Sequence, residues 1–224
     1  MQLYTENFYT DNFEGTLRSA REIVPLVLEL VHPSNVIDLG CGLGTWLSVF
    51  KDNGVKDIWG VDGLWVPSSM LQIPKERFIP YDLGKPFQKE ERFDLVISLE
   101  VAEHLSHECS GVFIDSLTRL GPVILFSAAI PFQGGTNHIN EQWPDYWAKQ
   151  FHDRDFMVVD CIRKKIWQNE NVFYWYAQNI LMFVKRDYLE EHPKLRKEFE
   201  KTNLSQLSLV HPKMYLRPRC RQNL

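Results

Sequence analysis

A chain of 224 residues, 44% of them hydrophobic and 24% charged, is long enough for one globular domain with a sizeable core and short for two. Its formal net charge of −4 lacks the basic field behind non-specific nucleic-acid affinity, which makes nucleic acid an unexpected partner. Cys41, Cys109, Cys161 and Cys220 show no CxxC spacing, Glu6, Asp11 and Glu14 stand where a signal peptide would be apolar, and no apolar run reaches bilayer length; the expectation is a reduced, cytoplasmic protein with no membrane partner.

Residues 1–15 are aromatic and polar without periodicity, and are expected to form an N-terminal cap or lid. Over residues 16–31, Ala20, Ile23, Val24, Val27, Leu28 and Val31 recur at helical spacing, which predicts an amphipathic helix that Pro25 bends or borders. Short β-branched runs then alternate with helical stretches. Strands are predicted at 35–39, 57–62, 77–81, 94–99 and 123–127, with helices at 45–52, 110–120 and 142–151. Two last strands, 156–162 and 177–184, read as an antiparallel hairpin closing the sheet, and a charged surface helix is expected over 185–201. Such alternation predicts a doubly wound α/β fold, with a mostly parallel seven-stranded sheet and an antiparallel C-terminal hairpin strand. Residues 1–185 are expected to make one domain, followed by a helical segment and tail at 186–224. The tail's Lys213, Arg217, Arg219 and Arg221 read as a solvated basic cluster.

The stretch from Val36 to Trp46, VIDLGCGLGTW, carries the most chemistry. A buried strand runs into Gly40, Gly42 and Gly44 and a helix follows. Glycine lets the backbone turn sharply and approach a ligand closely, and the helix N-terminal amides favour a carboxylate or other anion. Asp62 ends the next strand, 22 residues beyond Gly40, where a carboxylate can accept hydrogen bonds from ribose hydroxyls. GxGxG spacing is not the dinucleotide GxGxxG pattern, which weighs against NAD. Asp38 adds a polar group inside the strand.

These residues resemble the first motif of class I S-adenosylmethionine-dependent methyltransferases, a Rossmann-like superfamily. Asp62 resembles that family's ribose-binding acid, Asp82 and Leu83 its adenine position, and the stretch 93–105 (FDLVISLEVAEHL) its fourth-strand motif. The likeness covers roughly residues 16–185. It implies S-adenosylmethionine as cofactor, held by Asp38, Gly40, Gly42, Gly44, Thr45, Asp62, Asp82, Leu83 and Glu100.

Glu100, Glu103 and His104 follow the fourth strand at spacings that share one face if a helix starts there. With His138, from the loop after strand five, they form a candidate divalent-cation set for Mg²⁺ or Mn²⁺. This ExxEH arrangement resembles small-RNA 3′-end 2′-O-methyltransferases and quinone-biosynthesis O-methyltransferases. Helix capping and cofactor support are the alternative role for these residues. In the fold so implied, His138 lies beside the donor methyl and is a candidate general base, with His104 as the alternative.

Trp143, Tyr146, Trp147 and the stretch 175–179 (WYAQN) are similar to methyltransferases of carbohydrate and secondary-metabolite pathways. The expected reaction is O-methylation of a small polar acceptor such as a sugar, glycan or secondary metabolite. A metal-dependent RNA 3′-end 2′-O-methyltransferase and a non-catalytic cofactor-binding subunit stay open as alternatives, and the oligomeric state is open too.

Overall fold

The computed structural model describes residues 6–216. Its first element is a single helix, α1 (Glu6–Val31). The helix predicted at 16–31 therefore extends through residues 6–15, which the sequence had suggested as a separate cap; residues 1–5 lie outside the described part. Helical periodicity is hard to see over the first turns because Asn12, Phe13 and Thr16 face a cavity and not the core. Gly15 permits the helix to cross tightly over Phe173, whose ring atom Cζ would stand 1.8 Å from a Cβ there.

Strand β1 (Asn35–Leu39), helix α2 (Thr45–Asp52) and strand β2 (Asp57–Asp62) form the first parallel unit. Next come β3 (Phe78–Pro80), β4 (Leu95–Leu99), α3 (Ser110–Leu120), β5 (Val123–Ser127), α4 (Pro144–His152) and β6 (Phe156–Val159). The chain continues through α5 (Arg163–Ile166), α6 (Tyr174–Asn179), β7 (Leu181–Lys185), α7 (Arg186–Glu191), α8 (Pro193–Glu200) and α9 (Pro212–Tyr215). The strand order is β3-β2-β1-β4-β5-β7-β6. All neighbours are parallel except β7, which runs antiparallel to both β5 and β6. This is the doubly wound fold the sequence predicts.

Both faces of the sheet are covered, so β4 and β5 are buried at every position and read as continuous apolar runs. Alternate residues serve the two layers. Val36, Leu95 and Leu125 pack with Val24, Leu47 and Phe50 of α1 and α2, whereas Ile37, Val96 and Phe126 pack with Phe113, Leu117 and Phe151 of α3 and α4.

Several boundaries differ from the predicted ones, each for a local reason. The third strand shortens to Phe78–Pro80 at the sheet edge, where proline is tolerated. Helix α4 begins at Pro144, its first-turn residue, and not at 142, because Gln142 instead donates its N–H to the Ala129 carbonyl. Strand β6 ends at Val159 and not at 162, where Asp160 turns to meet Arg163. Residues 177–179 belong to α6 and not to the last strand, since the side chains of Gln178 and Asn179 are drawn to Gln133 and Glu100. The helix expected over 185–201 breaks at His192, as Pro193 disfavours a helical residue before it. Among the described residues no helix is long and apolar enough to cross a membrane.

Candidate active site

β1 and β4 are neighbours whose chain connections leave in opposite directions, which opens a crevice at their C-terminal ends. The loop after β1 lies in this crevice. Gly40, Gly42 and Gly44 have φ of 90°, 53° and 79°, the left-handed region that side chains disfavour. A Cβ on Gly40 would also stand 2.2 Å from Val101 Cγ2, so the position is closed to larger residues on two grounds. Gly44 precedes Thr45, the buried first residue of α2.

Polar groups follow the same sheet edge in strand order. Asp82 and Leu83 lie just past β3, Asp62 ends β2, the glycine loop follows β1 and Glu100 follows β4. Asp62 accepts hydrogen bonds from Gly42 N at 2.7 Å and Gly63 N at 2.6 Å, tying the two loops together. Burial raises its pKa despite these bonds. Asp38 is buried inside β1; desolvation first, then the charge of Asp62, push its carboxyl well above the usual range. Asp82 is more exposed, accepting from Gly84 N at 3.0 Å and pairing with Lys85 at 3.3 Å, and Leu83 is buried.

After β4 the predicted shared helical face does not form. Glu100 has φ of 56° and its N–H bonds the carbonyl of Ser127 at 2.9 Å; Ala102–His104 make no more than a short 3-10 turn. The carboxylates consequently part. Glu100 accepts from Gln133 Nε2 at 2.8 Å and from Asn179 Nδ2 at 3.1 Å. Glu103, His104 and His138 come together instead, one ligand atom of each lying within 4.8 Å of the others. The four candidate metal residues thus divide into a cluster of three and a separately held Glu100.

Glu103 is fully buried; its carboxyl has the backbone amides of Glu103 and Ala129 beside it but no side-chain hydrogen bond among the described residues. Desolvation, then the charge of Glu100, push its carboxyl well above the usual range. His104 is pushed down to about 4, by burial first and then by His138, so it is a neutral imidazole near pH 7. The two rings meet edge to face at 4.9 Å. A buried carboxyl with no side-chain partner is costly to ionise unless a positive partner arrives, and two imidazoles beside it offer nitrogen ligands to a divalent cation.

The loop 131–142 is built around His138. Glu141 accepts from Phe132 N and Gly134 N, both at 2.7 Å, and meets His138 Nδ1 at 3.0 Å. A carboxylate only accepts, so in this pair Nδ1 is the donor. Gly135 lies flat beneath the ring, where a Cβ would stand 2.2 Å from Nε2. The N–H groups of Ile139 and Asn140 both donate to the carbonyl of Glu103, joining this loop to the turn after β4. Glu141 escaped the sequence reading, although its place three residues after His138 was the available signal. Gln133 carries no such signal, because its partners lie 33 and 46 residues away.

The glycine loop, Glu100, Glu103, His104 and His138 line one cavity of about 1150 Å³. That exceeds the roughly 300–1,000 Å³ of a typical single-ligand pocket, which leaves space for a second reactant. The C-terminal segment closes one side with Val210, Met214 and Tyr215. His211 N donates to Gln178 Oε1 at 2.8 Å and Lys213 pairs with Glu170 at 2.5 Å. Arg217, Arg219 and Arg221 lie outside the described residues.

Strand order, glycine crevice and the acids along it define a class I S-adenosylmethionine-dependent methyltransferase. Residues 13–127, just over half of the chain, match the family described as "Methyltransferase domain", and the chain belongs to that family. No curated protein matches. Among solved structures, the chain is similar to the methyltransferase domain of bacterial CtHen1-C, with 22% identity, TM-score 0.56, and coverage of 75% of this chain and 97% of that one. It is similar to magnesium protoporphyrin IX methyltransferase from Synechocystis PCC 6803 with bound S-adenosylmethionine, with 20% identity, TM-score 0.56, and coverage of 81% and 86%. An O-methyltransferase family protein from Burkholderia thailandensis shares 16% identity, TM-score 0.56, over 82% of this chain and 61% of that one. At these identities the likeness concerns the fold. The cofactor is S-adenosylmethionine.

Proposed function

We propose that the chain methylates a hydroxyl of a small polar acceptor, a sugar, glycan or secondary metabolite, with His138 as general base. The observation carrying this reading is the Glu141–His138 pair in the wall of the cavity that the glycine loop also lines. In the reaction the acceptor oxygen attacks the sulfonium methyl in line, the C–S bond breaks, and S-adenosylhomocysteine leaves as a neutral thioether. His138 Nε2 takes the hydroxyl proton, while Glu141, bonded to Nδ1–H, holds the ring's orientation and stabilises the imidazolium. The glycine loop, Asp38, Thr45, Asp62, Asp82, Leu83 and Glu100 are assigned to the cofactor, whose chain would run along the strand ends. Alignment of oxygen, methyl and sulfur supplies much of the remaining acceleration.

His138→Ala should lower kcat by about 10²–10⁴-fold, as for a lost general base, with S-adenosylhomocysteine affinity nearly unchanged by calorimetry. Wild-type turnover in that variant would exclude the role.

A second reading is favoured by the buried Glu103 carboxyl, which has no side-chain hydrogen bond among the described residues. Glu103, His104 and His138 fit a divalent cation, which would polarise the acceptor hydroxyl and lower its pKa. The resemblance of this cluster to small-RNA 3′-end 2′-O-methyltransferases brings an RNA ribose into consideration as the acceptor.

A further inference from the structure

The cavity wall carries acidic and aromatic side chains. Three glutamates (Glu100, Glu103 and Glu141) and eight aromatic side chains line it, and among the described lining residues there is neither lysine nor arginine. Phosphate sites are built from such cations or from unpaired backbone amides. Four amides of the loop are already used: Phe132 N and Gly134 N donate to Glu141, and Ile139 N and Asn140 N to the Glu103 carbonyl.

The mouth has a different character. Phe132 is 91% exposed, Tyr215 71% and Trp143 40%, and all three rim the cavity. Phe132 keeps a left-handed φ of 69°, held by the bond from its N–H to Glu141, and so presents a ring to solvent that the core does not use. Aromatic rims above carboxylate and amide groups suit molecules with apolar ring faces and hydroxylated edges.

We propose that the acceptor is a phosphate-free, uncharged glycan or glycoside, whose C–H faces stack on Phe132, Trp143 and Tyr215. This rests on the O-methylation reading and narrows it. Sugar phosphates, nucleotide sugars and RNA meet neither lysine nor arginine among the described lining residues, and a free hydroxyl of a neutral pyranoside enters to meet His138.

The test uses the full chain, so that Arg217, Arg219 and Arg221 take part. Methyl transfer from labelled S-adenosylmethionine is measured to a panel of neutral methyl pyranosides and oligosaccharides. The same sugars as 1-phosphates and nucleotide sugars, a 3′-hydroxyl RNA oligonucleotide, simple phenols and amines complete the panel. Neutral glycosides should exceed their phosphorylated counterparts in kcat/KM by about 100-fold or more, in the range that a mismatched buried charge produces. Phe132→Ala and Trp143→Ala should each raise KM about tenfold, with kcat and S-adenosylhomocysteine affinity within about twofold, as for uniform binding loss. Equal or better transfer to a phosphorylated sugar, RNA or phenol overturns the glycan assignment and leaves O-methylation standing, as does an unchanged KM in both variants. Transfer to amines alone overturns both readings, and no transfer to any neutral glycoside overturns this one.

Discussion

Asp38, which the proposed function assigns to the cofactor, is a buried acid with a cost to folding. It lies inside β1 with its carboxyl pushed well above the usual range by burial and by Asp62. Between the unfolded value, about 3.9, and the raised folded value, the folded chain holds a proton that the unfolded chain has released. Its contribution to stability is therefore complete at low pH and lost as pH rises through the folded pKa. Asp38→Asn should flatten this part of the pH–stability curve of the cofactor-free protein. At pH 7 it should raise stability by about 0.5–2 kcal/mol, typical of relieving a functional strain, while weakening S-adenosylhomocysteine binding. Thermal melts from pH 4 to 8, paired with calorimetry, read both effects; a variant that melts earlier at pH 7 than the wild type contradicts the account.

Among elements, the joint between α5, α6 and the C-terminal segment decides the shape of the acceptor side. Arg163 is 1% exposed. It pairs with Asp160 and donates to the carbonyls of Gln178 at 3.2 Å, Leu207 at 2.7 Å and Gln206 at 3.3 Å. One guanidinium thus fixes the end of α6, which carries Gln178 and Asn179, and the segment that carries Val210 and Tyr215. Arg163→Leu leaves the half-buried Asp160 without its ion pair, which should cost about 3 kcal/mol. It should also expose residues 203–216 to limited proteolysis before the rest unfolds. Adding Asp160→Asn should recover part of the loss, since the two changes share one interaction. Simultaneous digestion of the whole chain would show that this segment is not separately held.

At the scale of the whole molecule, a cation held by the Glu103 cluster, as the second reading has it, would couple its binding to global stability. Mn²⁺ or Co²⁺ added to chelator-treated protein should raise the melting temperature. At 100 times the dissociation constant the gain is about 2.7 kcal/mol, and it should vanish in Glu103→Gln. Binding should weaken on acidification, as protons compete for the carboxylate and imidazoles. No melting shift with either ion would leave Glu103 as a buried structural acid.

How much was legible follows from the range of the forces involved. Strand order and cofactor loop could be read because their causes are local: β-branched runs ending in Gly40, Gly42 and Gly44, acids at the next strand ends, and helices long enough to cover both faces. The chain by itself thus determined the fold class and the cofactor. The contacts around Glu100, by contrast, join residues 33 and 79 positions apart. Only the tertiary structure decided that Glu100 turns away from Glu103, that Glu141 orients His138, and that residues 177–179 curl into a helix. It also brought Val210, Met214 and Tyr215 from the end of the chain to the mouth of the cavity. Each of these rests on satisfying a buried polar group with a partner distant in sequence, and no local pattern encodes which partner that will be.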